Sequence, residues 1–168
     1  MVTLIANQLD SNYSQRQINA FYTQAKKLIE DPFDFIVFTN DDEMKLLETT
    51  KKKEGYIQGI TFHVPKYGKD WLEIDIMQHT HPKDVSLFVT PNVILNNPKT
   101  FFNYKCKGID KLVLEDGNFC YVCNRNEQVE KILKKWDDME DDMTFQNHSF
   151  ADAFYSNEVP EFSFIQNT

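Results

Sequence analysis

Phe33-Asp-Phe-Ile-Val-Phe-Thr39 is almost continuously apolar. A run of this kind is typical of a strand that other layers cover on both of its faces. Pro32 stands directly before it and closes the preceding segment, because proline cannot continue a helix. The stretch therefore predicts a buried strand in a sheet with helices on either side.

The segment before this strand carries a helical pattern. Ser14 followed by Gln17 is a capping-box signature. We therefore expect a helix over residues 14–30, with one apolar stripe formed by Ile18, Phe21, Tyr22, Ala25, Leu28 and Ile29.

Nearer the start of the chain, Val2–Ala6 is a short β-branched run that predicts another buried strand.

Strand and helix patterns continue to alternate downstream. Strands are predicted at Ile60–Val64 and Val85–Val89, the latter resumed by Val93–Leu95, and a hairpin at Lys111–Leu114 and Phe119–Cys123. This alternation predicts an α/β class with a central, mostly parallel or mixed sheet, helices on both faces, and one domain over 1–168. Further helices are predicted between Asp41 and Lys53, near Trp71–Gln78, over 127–137 and near Phe150.

Composition narrows the class of protein. The 168 residues are 41% hydrophobic and 26% charged, with a net charge of −8, so we expect a globular chain. Only Arg16 and Arg125 are arginines, which together with the acidic balance argues against a nucleic-acid partner. No apolar run has bilayer length, and the N-terminus lacks the basic region of a signal peptide, so we expect no membrane partner and a cytoplasmic location. The excess of lysine over arginine is typical of an AT-rich genome, such as that of a bacteriophage or a low-GC bacterium.

Three cysteines, Cys106, Cys120 and Cys123, are an odd number that fits a reducing compartment. Thiolates two residues apart are common zinc ligands. However, Cys120 and Cys123 lie in an apolar run, and residues three apart on a strand point to opposite faces. We therefore predict buried structural thiols and no metal at this pair.

Two other polar clusters are candidates for a metal site or a docking surface. His79-Thr-His81 after Asp75 could supply metal ligands, but the adjacent Pro82 favours a polar loop at a helix end. Overall we expect no metal site. The acidic stretch from Asp137 to Met143 is either a solvated loop or a docking surface for a basic protein partner. Its carboxylates are Asp137, Asp138, Glu140, Asp141 and Asp142.

Four strings occur in an order that resembles a known family. They are Pro32-Phe-Asp-Phe-Ile-Val-Phe-Thr-Asn-Asp41, Trp71-Leu-Glu-Ile-Asp-Ile-Met77, Leu87-Phe-Val-Thr-Pro-Asn-Val93 and Phe150-Ala-Asp-Ala153. Together with the first strand and helix, they resemble the GT-A glycosyltransferase fold over nearly the whole chain. The resemblance implies a Rossmann-like domain, a nucleotide pocket near Tyr13, Asp41 and Asn92, and a base or acceptor contact at Asp152.

The departures from that family concern its chemistry. Its DxD motif holds a divalent cation against the diphosphate of the donor, but Thr90 and Asn92 occupy those positions here. Glu73 replaces a lysine, Asn40 replaces an acid and Ala153 replaces a glutamine of the family pattern. Neutral side chains do not replace anionic metal ligands.

Two hypotheses follow from this comparison. The first is a catalytically inactive glycosyltransferase-like protein that binds a macromolecular partner through its acidic surface and needs no cofactor. The alternative is a reduced glycosyltransferase that uses a nucleotide-sugar donor, with Mn²⁺ or Mg²⁺ as the expected cofactor in that case only.

Overall fold

The computed structural model describes residues 2–9, 13–40, 59–65, 71–93, 108–113 and 119–139. Three helices lie in these ranges: α1 (Gln15–Leu28), α2 (Leu72–Gln78) and α3 (Glu127–Met139). The strands in the same ranges are β1 (Val2–Gln8), β2 (Phe33–Thr39), β3 (Ile60–His63), β4 (Val85–Val89), β5 (Ile109–Val113) and β6 (Phe119–Asn124). Within the described parts of the chain, no helix is long and apolar enough to cross a membrane.

All six of these strands form one sheet in the order β3-β2-β1-β4-β6-β5. The first four strands of the chain are parallel, whereas β6 is antiparallel to both β4 and β5. Strand β1 therefore lies between β2 and β4, with Ala6 opposite Val37 on one side and Val89 on the other. The sheet is mixed, as the sequence predicts.

Helices cover both faces of the sheet, and two apolar clusters result. On one face, α1 packs through Ile18, Phe21 and Ala25. On the other face, α2 and α3 pack together, and Trp71 stacks on Trp136 with ring centroids 4.6 Å apart. The α/β class and the helices on both faces are confirmed.

The start of α1 is fixed by the capping box. Ser14 Oγ accepts a hydrogen bond from the backbone N–H of Gln17 at 3.2 Å, and Gln17 Oε1 accepts one from the N–H of Ser14 at 2.8 Å. These bonds satisfy two donors that a helix N-terminus otherwise leaves unpaired. The predicted capping signature is confirmed.

Most predicted strands agree with the structure to within a few residues. The hairpin is formed by Ile109–Val113 and Phe119–Asn124, and β3 ends at His63, one residue before the predicted end. Val93 does not begin a strand: its N–H donates to the carbonyl of Thr90 in a turn. The predicted helices between Asp41 and Lys53 and near Phe150 lie outside the described residues.

Cys120 and Cys123 lie on β6 and contribute to the two different clusters, so their side chains are on opposite faces of the sheet. Both thiols are fully buried. The predicted divergence of this pair is confirmed.

Burial raises the pKa of the Cys120 thiol from its ordinary 9.0 to about 12. The unfolded chain releases this proton at lower pH, so the free energy of unfolding falls as pH rises from 9.0 towards 12. We predict that Cys120→Ala reduces this alkaline slope by up to about 1.4 kcal/mol per pH unit, measured by urea unfolding over that window. Val122→Ala, on the same strand and face, is the control and should keep the wild-type slope; equal slopes in all three proteins would contradict the prediction.

Candidate functional site

The strand order creates a crevice at one edge of the sheet. From β1 the chain reaches β2 through α1 on one face, whereas β4 follows α2 on the other face. Strands β2 and β4 therefore lie on opposite sides of β1, and α1 and α2 lie on opposite faces of the sheet. In open α/β sheets, ligands bind at the carboxyl ends of the strands at such a reversal of strand order. The carboxyl edge between β1 and β4 is the candidate site.

Gln8 is the last residue of β1 and is 5% exposed. Its Nε2 donates a hydrogen bond to the backbone carbonyl of Tyr13 at 2.5 Å, which ties the start of the α1 segment to this strand. Its Oε1 is buried and has no hydrogen-bond partner among the described residues. A buried acceptor of this kind costs free energy unless a donor reaches it, so Gln8 can take an N–H or O–H group from a ligand.

Thr90-Pro91-Asn92 forms a turn directly after β4, closed by the hydrogen bond from Val93 N–H to Thr90 O at 3.0 Å. Proline favours such a turn because its φ is fixed, and it leaves no N–H to donate. The Thr90 Oγ1 atom is buried, and no partner for it occurs in the described part of the chain. Asn92 is exposed. The turn thus presents a hydroxyl and an amide group and no carboxylate.

Glu73 on α2 brings a negative charge towards the same strand. Tyr121 donates its hydroxyl hydrogen to Glu73 Oε1 at 2.8 Å, and Tyr121 is paired with Phe88, two residues before Thr90. Burial and the Glu73 carboxylate both raise the pKa of Tyr121 well above its usual range, so the phenol stays protonated and the bond persists. The Glu73 carboxylate is therefore held on the α2 face beside the carboxyl half of β4.

The structure places some of the predicted site residues and not others. Tyr13 lies half-buried before α1 and packs against its apolar cluster, and Asn40 is exposed after β2. Asp137 and Asp138 are exposed in the last turn of α3. Outside the described residues lie Asp41, Glu140, Asp141, Asp142 and Asp152.

Sequence reasoning named Thr90 and Asn92 as replaced ligands but missed Gln8. The available signal was the polar pair Asn7-Gln8 after the apolar run of the first strand, since the carboxyl end of a strand is where α/β proteins place ligand contacts.

An open groove of about 680 Å³ lies at the opposite edge of the sheet, where β4 begins and β6 ends. Of its three cationic lining residues, Lys83, Arg125 and Lys131, Arg125 is already engaged: Nε donates to Glu130 Oε1 at 2.7 Å, and Nη1 donates to the carbonyl of Thr80 at 2.8 Å. Asn126 uses its side chain to cap α3, accepting from Val129 N–H at 3.0 Å. Because Arg125, Glu130 and Asn126 are committed to these internal hydrogen bonds, this groove is not the candidate site.

No protein-family model and no curated protein matches the sequence. Among solved structures, the chain is similar to the 4-diphosphocytidyl-2C-methyl-D-erythritol synthase of Anaerococcus prevotii, with a TM-score of 0.49 and 10% identity over 99% of this chain and 85% of that chain. It is also similar to the apo form of the glycosyltransferase GlyE of Streptococcus pneumoniae, with a TM-score of 0.41 and 7% identity over 94% of this chain and 43% of that chain. Likenesses of this size carry no argument about activity or substrate.

The unpartnered hydroxyl of Thr90 leads to a stability prediction. Thr90→Val replaces a buried hydroxyl with a methyl group of similar size, so the free energy of unfolding should not fall and should rise by up to about 1 kcal/mol. Thr3→Val should behave alike, since Thr3 Oγ1 at the other end of the sheet is also buried without a described partner.

Thr80→Val is the matched contrast for this measurement. Thr80 Oγ1 is hydrogen-bonded to Ile76 O at 2.8 Å and to Ser86 Oγ at 2.6 Å. Its removal should lower the free energy of unfolding by about 1–3 kcal/mol in urea denaturation. A Thr90→Val protein destabilised as much as Thr80→Val would show that Thr90 Oγ1 has a structural partner.

Proposed function

We propose that the protein is a glycosyltransferase-like nucleotide-binding protein that does not carry out manganese-dependent sugar transfer. The observation that carries this proposal is the reversal of strand order between β1 and β4, at which two buried acceptor oxygens, Gln8 Oε1 and Thr90 Oγ1, have no partner within the described ranges. Such acceptors suit the N–H groups of a nucleobase or the hydroxyls of a ribose. The sequence strings at β2, α2 and β4 that resemble the GT-A family also support nucleotide binding.

The charges at this edge argue against a bound cation and a tightly held diphosphate. A divalent cation requires anionic oxygen ligands, and the turn after β4 offers Thr90 and Asn92 instead. Pro91 also lacks the backbone donor that could contact a phosphate. With no cation between them, the Glu73 carboxylate repels a diphosphate. Recognition should therefore rest on the nucleoside part of the ligand.

Calorimetric titration with uridine, UDP and a UDP-sugar, with and without manganese, tests the proposal; guanosine and its counterparts form a second series. We predict binding of one nucleoside series, no gain from the diphosphate and no effect of manganese. Thr90→Val should weaken this binding roughly 3- to 10-fold, because one hydrogen bond is lost. Thr3→Val, equally altered but at the amino end of β1, should bind as wild type.

The Glu73→Gln variant tests whether the negative charge of Glu73 weakens the binding of a diphosphate. Its amide oxygen can still accept from Tyr121, whereas the charge is gone, so UDP should bind more tightly than it does to wild type, while the affinity for uridine should stay unchanged. Manganese-dependent micromolar binding by the unmutated chain would overturn the proposal and favour the transferase alternative, in which Asp152 acts as base. Absence of any nucleoside binding would refute it outright.

A second candidate function is docking of a basic protein partner through the acidic end of α3. The specific observation is that Asp137 and Asp138 are exposed in the last turn of this helix, which has no basic residue there. Carboxylates at a helix C-terminus are destabilised by the helix dipole. Acids placed where they reduce stability support a role in binding.

This second candidate predicts a gain in stability with a loss of binding. Asp137→Asn and Asp138→Asn should each raise the free energy of unfolding by about 0.3–1 kcal/mol at low salt. Glu127→Gln, in the first turn of the same helix, is the control and should lower it by a similar amount. In a pull-down from the host, the double variant should lose a partner that wild type retains and releases at high salt; unchanged capture would contradict docking at this helix end.

A further inference from the structure

One helix face and one strand end bring three potential ligands together on the α2 side of the sheet. His63 is the last residue of β3, Asp75 lies within α2, and His79 caps the C-terminus of α2. One ligand atom from each side chain lies within 4.8 Å of the other two. The imidazole rings of His63 and His79 approach to 4.1 Å between centroids, and both contact Phe38. The three groups form what we call the His63–Asp75–His79 cluster.

Asp75 is the unusual member of this cluster. Its side chain is 8% exposed, and Oδ1 lies 3.2 Å from Nε2 of His63. Its Oδ2 is buried and has no hydrogen-bond partner in the described part of the chain. A buried carboxylate with one oxygen unpaired costs several kcal/mol unless a positive charge or a donor reaches it. This oxygen indicates that a cation belongs in the cluster.

A hydrogen bond of His79 leaves one of its ring nitrogens able to bind a metal. His79 Nδ1 lies 2.8 Å from the carbonyl oxygen of Asp75, and because a carbonyl can only accept, Nδ1 carries the hydrogen. In the neutral ring the lone pair is then on Nε2. Histidines that bind metals commonly donate their other N–H to a backbone carbonyl in this way. For His63 to bind a metal through Nε2, its neutral ring adopts the tautomer that carries the hydrogen on Nδ1, so that Nε2 presents its lone pair.

The three ligand atoms lie within 4.8 Å of one another, and one of their spacings matches that of a small tetrahedral ion. Two ligand atoms about 2.0 Å from a tetrahedral zinc lie about 3.3 Å apart, close to the 3.2 Å between His63 Nε2 and Asp75 Oδ1. Imidazole ligands favour zinc and its transition-metal neighbours over Mg²⁺ and Ca²⁺. Both histidines are half-buried, so water can occupy a fourth position.

We propose that the His63–Asp75–His79 cluster binds one Zn²⁺ ion through two imidazole nitrogens and one carboxylate, with water as the fourth ligand. This site is separate from the crevice, because β2 and β1 lie between β3 and β4 in the sheet. It replaces the sequence-based expectation that the chain holds no metal, and it does not depend on nucleotide binding.

Zinc titration of chelator-treated protein tests the proposal by calorimetry and elemental analysis. Wild type should bind one zinc per chain, and Co²⁺ in its place should show the intense visible bands of tetrahedral coordination. His63→Gln and His79→Gln should each weaken zinc binding by more than about 10-fold. His81→Gln is the matched control, because His81 is exposed and bonded instead to Asp34 at 3.0 Å. Its zinc affinity should equal that of wild type.

Asp75→Asn distinguishes a metal ligand from a structural ion-pair partner. Without zinc, the neutral amide removes the buried charge and keeps an acceptor for His63, so the melting temperature should not fall. With zinc, the variant should lose the rise in melting temperature that wild type shows. The proposal is overturned if Asp75→Asn melts lower in both conditions, or if His81→Gln and His63→Gln lose zinc equally, as adventitious binding to surface histidines would require.

Discussion

Strand β1 is hydrogen-bonded on both sides, to β2 along all seven of its residues and to β4 along five. Its central side chains, Leu4, Ile5 and Ala6, are fully buried and alternate between the two apolar clusters. A register shift of one residue would exchange the faces of all three. Because connections between parallel strands are right-handed, those that lead to β2 on one side of β1 and to β4 on the other cross different faces of the sheet. That constraint places the crevice, Gln8 Oε1, Thr90 Oγ1 and the turn after β4 at one edge.

Local pattern was enough for the elements but not for their order. The bounds of Phe33–Thr39 and Val85–Val89 agree with the structure because continuous burial leaves an uninterrupted apolar run. The side chains of Cys120 and Cys123 were assigned to opposite faces from strand periodicity alone. Which strand lies beside which depends on contacts distant in sequence, and no period encodes them. Val93 was misassigned because Pro91 imposes a turn on a segment that is otherwise apolar.

The histidines show that local sequence pattern also cannot assemble a site from residues distant in the chain. Sequence proximity paired His79 with His81, but residues two apart near a helix end diverge. His81 reaches Asp34 at the start of β2, whereas His79 lies four residues after Asp75 on one helix face. His63 joins them only because β3 pairs with β2 at Phe38. The helical spacing of an acid and a histidine was visible in the sequence; its third member required the sheet.

Helix α2 connects the crevice and the His63–Asp75–His79 cluster. Glu73 and Asp75 are two residues apart, about 200° around the helix, so one faces Tyr121 on β6 and the other faces His63 on β3. A helix of seven residues is not stable by itself. Its position comes from buried side chains such as Ile74 and Met77 and from the partners of its polar residues. A cation bound at Asp75 would strengthen the attachment of α2 to β3. Since Glu73 lies on the same helix, its carboxylate would then be held beside β4. The Glu73 carboxylate is thus positioned by the packing of α2 as a whole.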